Sequence, residues 1–423
     1  MSWKEIYHDN RVRAAFWGVL YLLWVIWLGN WWWILGLGVI FDHNITHKVK
    51  WTFWKKTYKE GEKKIWYWEW LDAIVFAVLV VTFIQIFFIQ AFVIPSSSME
   101  GTLLSGDHVF VSKLTYGPKL PETPLTFPFT HNVIFGKESY SKLIQNDYRR
   151  LKGFRKVKRG DIVVFNFPNG DTVLVKDPAR DYHEVCRLFG KERAIEYFGP
   201  VKARPSDKKD HYVKRCVALP GDTLSISGGQ VFIGNEPQQV PEEVQMTYQV
   251  TTREGRSYTR LLDAAALARI KGNPAVESVE PVLDVYPPDA PDSYLTIFPY
   301  TPDSGWTRDN FGPVWIPEKD ATVSLDTKNL PLYERIIRDY EHHTLEVDGE
   351  AILIDGKQAK DYTFSQNYYF MMGDNRHNSL DSRYWGFVPE DHIVGRPIFI
   401  WLSTDPEKGF PANIRWNRFF KIL

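Results

Sequence analysis

Two long stretches almost free of charge lie near the N-terminus, and they limit what this chain can fold into. Ala14 to Ile40 runs for 27 positions without a charged side chain and is interrupted only by Asn30. Leu71 to Ile94 carries Asp72 at its start and then only Thr82, Gln85 and Gln90 as polar residues. About 20 helical residues span the hydrocarbon core of a bilayer, so each run is long enough to cross once, the first one tilted or frayed. Dividing the first run at Asn30 leaves two pieces too short to span, which predicts two crossings, at about 14–40 and 71–94. Tryptophan usage agrees: 12 of the 17 precede residue 71, and Trp66, Trp68 and Trp70 fit an interfacial belt before the second run. The first run is too long for the apolar region of a cleaved leader, and no small-x-small site follows it before the lysines, so both runs are expected to act as a membrane anchor over 1–94.

Charge sets the expected orientation. His43 to Lys64 holds seven Lys and two Glu, whereas Met1 to Arg13 has three basic and two acidic residues. The excess of lysine predicts a cytoplasmic loop at 43–64, with the tail and everything after Ile94 on the other side. Over the whole chain 51 basic residues balance 51 acidic ones, which argues against a nucleic-acid binder. An apolar share of 44% excludes a disordered chain. Cys186 and Cys216 are too few for a disulfide scaffold or a thiolate zinc site, and sequence gives no distance between them, so they are left unpaired. His342-His343 and His183-Glu184 show no ligand spacing, so neither metal nor organic cofactor is expected.

From Pro95 onward short runs rich in Val, Ile, Phe and Tyr alternate with Pro, Gly, Asn and Asp. His108–Lys113, Asp161–Phe165, Tyr212–Leu219, Asn367–Met372 and Ile393–Trp401 read as strands, and Leu261–Ile270 and Leu332–His342 as helices. The fold class is mainly β: two N-terminal transmembrane helices followed by a β-rich domain. Long insertions are bounded by segments such as Pro118–Pro128 and Pro287–Pro302.

Three places carry chemistry. Just past the second apolar run stands Ile94-Pro95-Ser96-Ser97-Ser98-Met99, three hydroxyls beside the bilayer edge; by composition alone it reads first as a linker. In His211-Tyr212-Val213-Lys214-Arg215-Cys216, period-2 geometry puts Tyr212, Lys214 and Cys216 on one face of a strand. Half-burial there would lower the amine pKa, and a neutral amine can take a serine proton; the plain alternative is a solvated lysine. Finally, Met371 to Gly386 packs Asp374, Asn375, Arg376, Ser379, Asp381 and Arg383 between apolar strands, a pattern that suits a buried hydrogen-bond network better than a solvated turn.

Together these segments resemble the bacterial type I signal peptidases, membrane-bound serine proteases with a Ser/Lys dyad. The matching stretches are Pro-Ser-Ser-Ser-Met at 95–99, Arg-Gly-Asp-Ile-Val-Val-Phe at 159–165, Tyr-Val-Lys-Arg-Cys-Val-Ala-Leu-Pro-Gly-Asp at 212–222 and Gly-Asp-Asn-Arg through Trp-Gly at 373–386. The resemblance implies Ser98 as nucleophile and Lys214 as general base. It implies Ser379 as the residue orienting the amine and Ser96 as an oxyanion donor beside the Ser98 N–H, with Asp381 and Arg383 as a supporting ion pair. Ile94, Pro95, Met99, Leu103, Tyr212 and Val213 match positions lining shallow substrate pockets. The implied fold is a signal-peptidase-like β domain from 95–222 and 366–423, with a second β domain inserted at 223–365 and a further insertion at 169–210. The implied activity is cleavage of signal peptides from exported preproteins after an Ala-x-Ala type site, without cofactor, in the bacterial inner membrane. The expected partners are the signal peptides, the lipid bilayer and the secretion translocon, with no nucleic acid. His377 departs from the family pattern, where Asp is usual, and leaves the outer network open.

Rival readings stay in view. His108, His211 and His377 lie near the motifs, but a Ser-His-Asp hydrolase lacks its Gly-x-Ser-x-Gly elbow here. A self-cleaving repressor with Ser/Lys chemistry would carry a DNA-binding segment in place of the apolar runs. From another class, a non-catalytic membrane-anchored β domain could bind translocated or envelope proteins. Such a module would have little reason to keep Ser98, Lys214 and Ser379 together.

Overall fold

A computed structural model describes residues 9–51, 66–170, 172–177, 180–284 and 295–423. Most of the lysine-rich loop and of the N-terminal tail therefore lies outside the described residues. The first apolar run is not one continuous helix. Helix α1, Asn10–Leu28, ends at Gly29, whose φ of 64° is left-handed and whose N–H closes the last turn onto Val25 and Ile26. Asn30 then accepts a hydrogen bond from the Trp32 N–H and starts a second leg. That leg runs through the tight turns of Trp31–Leu35, helix α2 (Gly36–Phe41) and a wider turn at Asp42–Thr46. It folds back along α1: the Tyr21 hydroxyl donates to the Trp33 carbonyl at 2.7 Å, and Gly18 faces Leu37. Gly36 lets the Tyr21 ring lie against the bare backbone, since a Cβ there would sit 2.1 Å from its hydroxyl. The expected single span at 14–40 is thus a helical hairpin, because a left-handed glycine followed by a capping asparagine ends one helix and begins another.

The second run also divides. Helix α3 covers Trp66–Phe87, and Ile89–Val93 is already strand β1. An apolar run has no period that separates helix from strand, and here the partner decides: β1 pairs antiparallel with β2, Asp107–Ser112, from Ile89↔Ser112 to Val93↔His108. The span expected at 71–94 therefore starts five residues earlier, at Trp66, and ends seven earlier, at Phe87.

The main sheet is antiparallel and has eight strands. Its remaining members are β3 (Ile162–Asn166), β4 (His211–Ala218), β5 (Tyr368–Met372), β6 (Val388–Pro389), β7 (Ile393–Ser403) and β8 (Lys421–Ile422). The order is β1-β2-β7-β3-β4-β5-β6, with β8 on β7. Burial alternates along β2, where Val109 and Val111 face inward, but every residue of β3 and β5 is buried because both faces are covered. All five strands expected from sequence are present, within two residues at each end.

The 169–210 insertion pairs Thr172–Leu174 with Val201–Ala203 around helices Tyr182–Phe189 and Lys191–Phe198. Sequence reading missed both helices, which have eight residues each and are separated only by Gly190. In 223–365, Thr223–Ser227, Gln230–Ile233 and Phe311–Trp315 build one small sheet, and Met246–Thr252 sits between Ser257–Leu262 and Val276–Pro281 in another. The helix expected from Leu261 begins only at Ala264, because Leu261 and Leu262 complete a strand and Asp263 caps the helix. The helix expected at Leu332–His342 begins at Leu330, runs to Arg335 and continues as a wider turn to Tyr340. One apolar cluster joins Leu224, Ile226, Phe311 and Ile337 of this region to Ala218, Tyr368 and Phe370 of β4 and β5. The ends of the two long apolar helices dock on the same body. Leu28 and Phe87 pack with Leu151, the Trp27 indole N–H donates to the Lys152 carbonyl at 2.9 Å, and Arg149 donates to the Leu28 carbonyl at 2.7 Å.

Candidate active site

Ser98 stands in the loop joining β1 to β2, and that loop is braced at its base. Ile94 and Asp107 share a backbone bond, the Gly106 N–H donates to the Ile94 carbonyl, and the buried Asp107 carboxylate accepts from Arg418, Ser403 and the Leu104 N–H. Met99 and Leu103, buried in the cluster beneath, turn the chain through bonds from Thr102 and Leu103 to the Met99 carbonyl. The hydroxyl of Ser98 is thereby held at the rim of a packed core.

Lys214 approaches from β4. Its register partner on β3 is Val163, and its side chain is 2% exposed. The Nζ lies 2.7 Å from Ser98 Oγ and donates to the Val213 carbonyl at 3.1 Å. Burial pushes the amine down from the usual lysine range to about 8; Asp381 and Asp374 work against that drop and Arg383 adds to it. The Lys214 amine also stands 5.4 Å from the centre of the Tyr212 ring.

The loop between β5 and the short helix Ser382–Trp385 closes the site. Asp381 and Arg383 form a two-pronged pair at 2.8 and 2.9 Å, both 1% exposed or less. Burial alone would raise the Asp381 carboxyl, but Arg383 and the Gly373 N–H outweigh it and hold the acid below its ordinary range. The loop then grips the backbone of Ser97 and Ser98. The Asn375 N–H donates to the Ser98 carbonyl at 3.1 Å, and the Asn375 and Asn378 side chains donate to the carbonyl and hydroxyl of Ser97. Gly373 packs so closely that a Cβ would lie 2.2 Å from Ser379 Oγ and 2.5 Å from the Ser98 carbonyl oxygen.

The sequence-predicted residues fall into three groups. Ser98, Lys214 and Ser96 meet, the two serine hydroxyls being 3.4 Å apart. Ser379 is buried beside Gly373 and Ser98, yet its hydroxyl has no hydrogen-bond partner among the described residues, so the expected bond to the Lys214 amine is not formed here. Of the expected pocket residues, Pro95 is exposed and Tyr212 and Val213 are half-buried, while Ile94, Met99 and Leu103 belong to the core and can shape a pocket only from beneath. Sequence reasoning assigned no role to Arg215, although it grips Asp374 at 2.7 and 2.6 Å while Thr102 donates to the same carboxylate. The i+1 position after Lys214 was its one signal, since adjacent residues point to opposite faces of a strand.

His377 has a defined place. Its Nδ1 accepts from the Thr247 N–H at 3.2 Å and its Nε2 faces Asp309 at 3.1 Å, so the ring carries its proton on Nε2 and links the site loop to the insertion. His108 stacks edge-on with Trp401 and His211 lies against His131. Among the described residues no histidine reaches Ser98. Cys186 and Cys216 are both free thiols.

A sequence profile for the family described as signal peptidase, peptidase S26, matches residues 67–278 and 314–402. Signal peptidase I of Buchnera aphidicola subsp. Baizongia pistaciae is 26% identical over 358 residues, covering 82% of this chain and 81% of its own. The Haemophilus influenzae protein named signal peptidase I is 26% identical over 351 residues, covering 82% and 74%. That of Helicobacter pylori strain J99 is 25% identical over 374 residues, covering 84% and 91%.

Proposed function

The chain belongs to the S26 family of signal peptidases, and we propose that it is a serine endopeptidase that removes signal peptides from exported preproteins, with Ser98 as nucleophile and Lys214 as general base. The observation that carries the reading is the 2.7 Å contact between a buried, depressed-pKa amine and a serine hydroxyl. A neutral Lys214 accepts the Ser98 proton as Oγ attacks the scissile carbonyl, then returns it to the leaving amine. The developing oxyanion would take hydrogen bonds from the Ser98 N–H and the Ser96 hydroxyl; one such donor is typically worth ~3 kcal/mol of barrier. Ser379, buried beside Gly373 and the Ser98 carbonyl, is the group that would orient the amine once substrate closes the site. Asp381 and Arg383 hold the backbone on which this depends.

Substrate geometry follows from the sheet. Among the described residues strand β1 pairs only with β2, and residues 211–214 of β4 pair only with β3, so each leaves one edge free. Phe92 and His211, on those two strands, are in ring contact at 4.8 Å. An extended peptide adding to these edges would present alternate side chains to shallow pockets, which suits the small residues of an Ala-x-Ala type site. Pro95, Tyr212 and Val213 are the surfaces it would touch, backed by Ile94, Met99 and Leu103.

Two apolar helices fit membrane association, and the location we propose is the bacterial inner membrane with the β domain on the outer side, next to the translocon. We read the hairpin at Gly29 as adding a shorter return leg to the two helices long enough to cross: α1 outward, the return through α2, and α3 outward again. The tail, expected from charge on the outer side, then shares the cytoplasmic side with the lysine-rich loop, whose seven lysines suit that side.

The test is cleavage of a preprotein with an Ala-x-Ala site by the full chain in liposomes, comparing wild type with Ser98→Ala and Lys214→Ala. Trimming by the wild type and inert, folded variants support the dyad. Retention of most activity by Lys214→Ala would assign the base elsewhere. An intact preprotein even with wild type would favour a non-catalytic binding domain.

A further inference from the structure

Beside the end of α3, a cavity of about 200 Å³ lies outside the catalytic pair. Three lysines line it: Lys113 at the end of β2, Lys119 and Lys208. Their charges are not equally compensated. Lys119 is matched by Glu122 at 2.7 Å, and Lys208 lies 3.5 Å from Asp207. Asp207, the one carboxylate in the lining, is also taken by the N–H and hydroxyl of Thr123. Lys113 has no carboxylate within ion-pair distance and no hydrogen-bond partner for its amine among the described residues. Burial, reinforced by Lys119, Lys208 and Arg150, pushes that amine down to about 8. His131 and His211, which also line the cavity, are driven toward the neutral form mainly by burial.

Position and rim say what kind of anion would sit there. Thr82, Gln85 and Ile86, from the last two turns of α3, form one wall, and the buried Thr82 hydroxyl has no partner among the described residues. The opposite wall is the segment 118–131, where Phe127 and Phe129 are each 59% exposed at the cavity. Leu125, with Val133 and Phe135 just beyond the segment, extends that exposed apolar edge. A cationic hollow at the water-facing end of a membrane helix, rimmed by exposed phenyl rings, matches an amphiphile with an anionic head and apolar tails. A free inorganic anion would have no use for the rim.

We propose that this cavity binds the phosphate of an outer-leaflet phospholipid, with Lys113 as its main charge partner and Phe127 and Phe129 against the acyl chains. The bound lipid would fix the depth at which the sheet edges meet the bilayer surface, because His211 of the cavity wall is three residues from Lys214 on the same strand.

The experiment uses the full chain purified in mild detergent, with native mass spectrometry against phosphatidylglycerol, phosphatidylcholine and inorganic phosphate, and compares wild type, Lys113→Gln and Lys113→Arg. Removing one charge-assisted hydrogen bond at a buried site should weaken phosphatidylglycerol binding by about tenfold in Lys113→Gln, with recovery in Lys113→Arg. Cleavage of a soluble peptide substrate in detergent should be unchanged, which also shows that the variant is folded. Equal lipid binding by wild type and Lys113→Gln would overturn the site. Displacement of the lipid by inorganic phosphate at matched concentration would overturn the lipid assignment in favour of a soluble anion. A higher KM for preprotein in Lys113→Gln, equal in detergent and in anionic vesicles, would give the cavity to the substrate and also overturn it.

Discussion

The proposed role of Lys214 as a base rests on surroundings that are hostile to its charged form. With the amine near pKa 8, roughly one molecule in ten carries the neutral base at pH 7, so kcat/KM should rise with pH through about 8. A profile that levels off by pH 6.5 would point to a histidine instead. The same burial costs stability, with a definite sign. The folded-state pKa lies below the unfolded one, so the unfolded chain holds more protons between about pH 8 and 10 and stability rises with pH across that window. Lys214→Met should therefore abolish cleavage yet raise stability near neutral pH by about 1–3 kcal/mol, read from chemical denaturation of the β domain. Gly373→Ala tests the packing behind Ser98. The new methyl meets the Ser98 carbonyl, which is backbone and cannot swing away, so kcat/KM should fall by about a hundredfold while the fold survives, measured by peptide cleavage and circular dichroism.

Elements near the membrane are decided by their ends. Two adjacent residues, Gly29 and Asn30, turn what composition presents as one span into a hairpin, and the bare backbone of Gly36 accepts Tyr21 so that the legs can close. If the hairpin sets the topology, a cysteine at Ser2 and one at Gly61 should both resist a membrane-impermeant maleimide in intact spheroplasts, whereas one at the exposed Gln145 should react, all in a Cys186→Ser background. Reaction of the Ser2→Cys protein from outside would restore a two-crossing arrangement. At the end of α3 the helix stops because β2 offers partners for every residue of β1. That handover leaves only the short β1 strand and the segment Ile94–Ser97 between α3 and Ser98; if α3 crosses a bilayer as proposed, reach is limited to bonds near its surface.

Across the whole molecule the insertion behaves as a wall of the site. The Glu243 carbonyl lies where a Cβ on Gly101 of the serine loop would be, Gln245 exchanges backbone bonds with Asp374 and Arg376, and His377 bridges to Thr247 and Asp309. His377→Asp, the residue usual in the family, should be harmful in this chain because it sets a second carboxylate against the buried Asp309. A loss of about 2–4 kcal/mol is expected, seen as a lower Tm, with activity falling in parallel; Asp309→Asn in the same background should recover much of it. The strands of the catalytic sheet were legible because Val, Ile, Phe and Tyr repeat with period two between turn residues. The contact between Ser98 and Lys214 was foreshadowed only by the order of four motifs. The grip of Arg215 on Asp374 was not, since residues 159 apart carry no local sign of their contact.

The sequence by itself determined the apolar N-terminal segment, the β character of the rest and the residue types available for acid–base chemistry, because hydropathy and period act over a few neighbours. Only the tertiary structure decided where the apolar runs break, which pocket residues are lost to the core, and how far the Lys214 amine is stripped of water. Those outcomes depend on contacts between distant segments: β2 claiming β1, the insertion closing over the 373–381 loop, and β3 and β5 shutting solvent away from β4. A lysine becomes a base through what surrounds it in space, and its neighbours along the chain do not specify that.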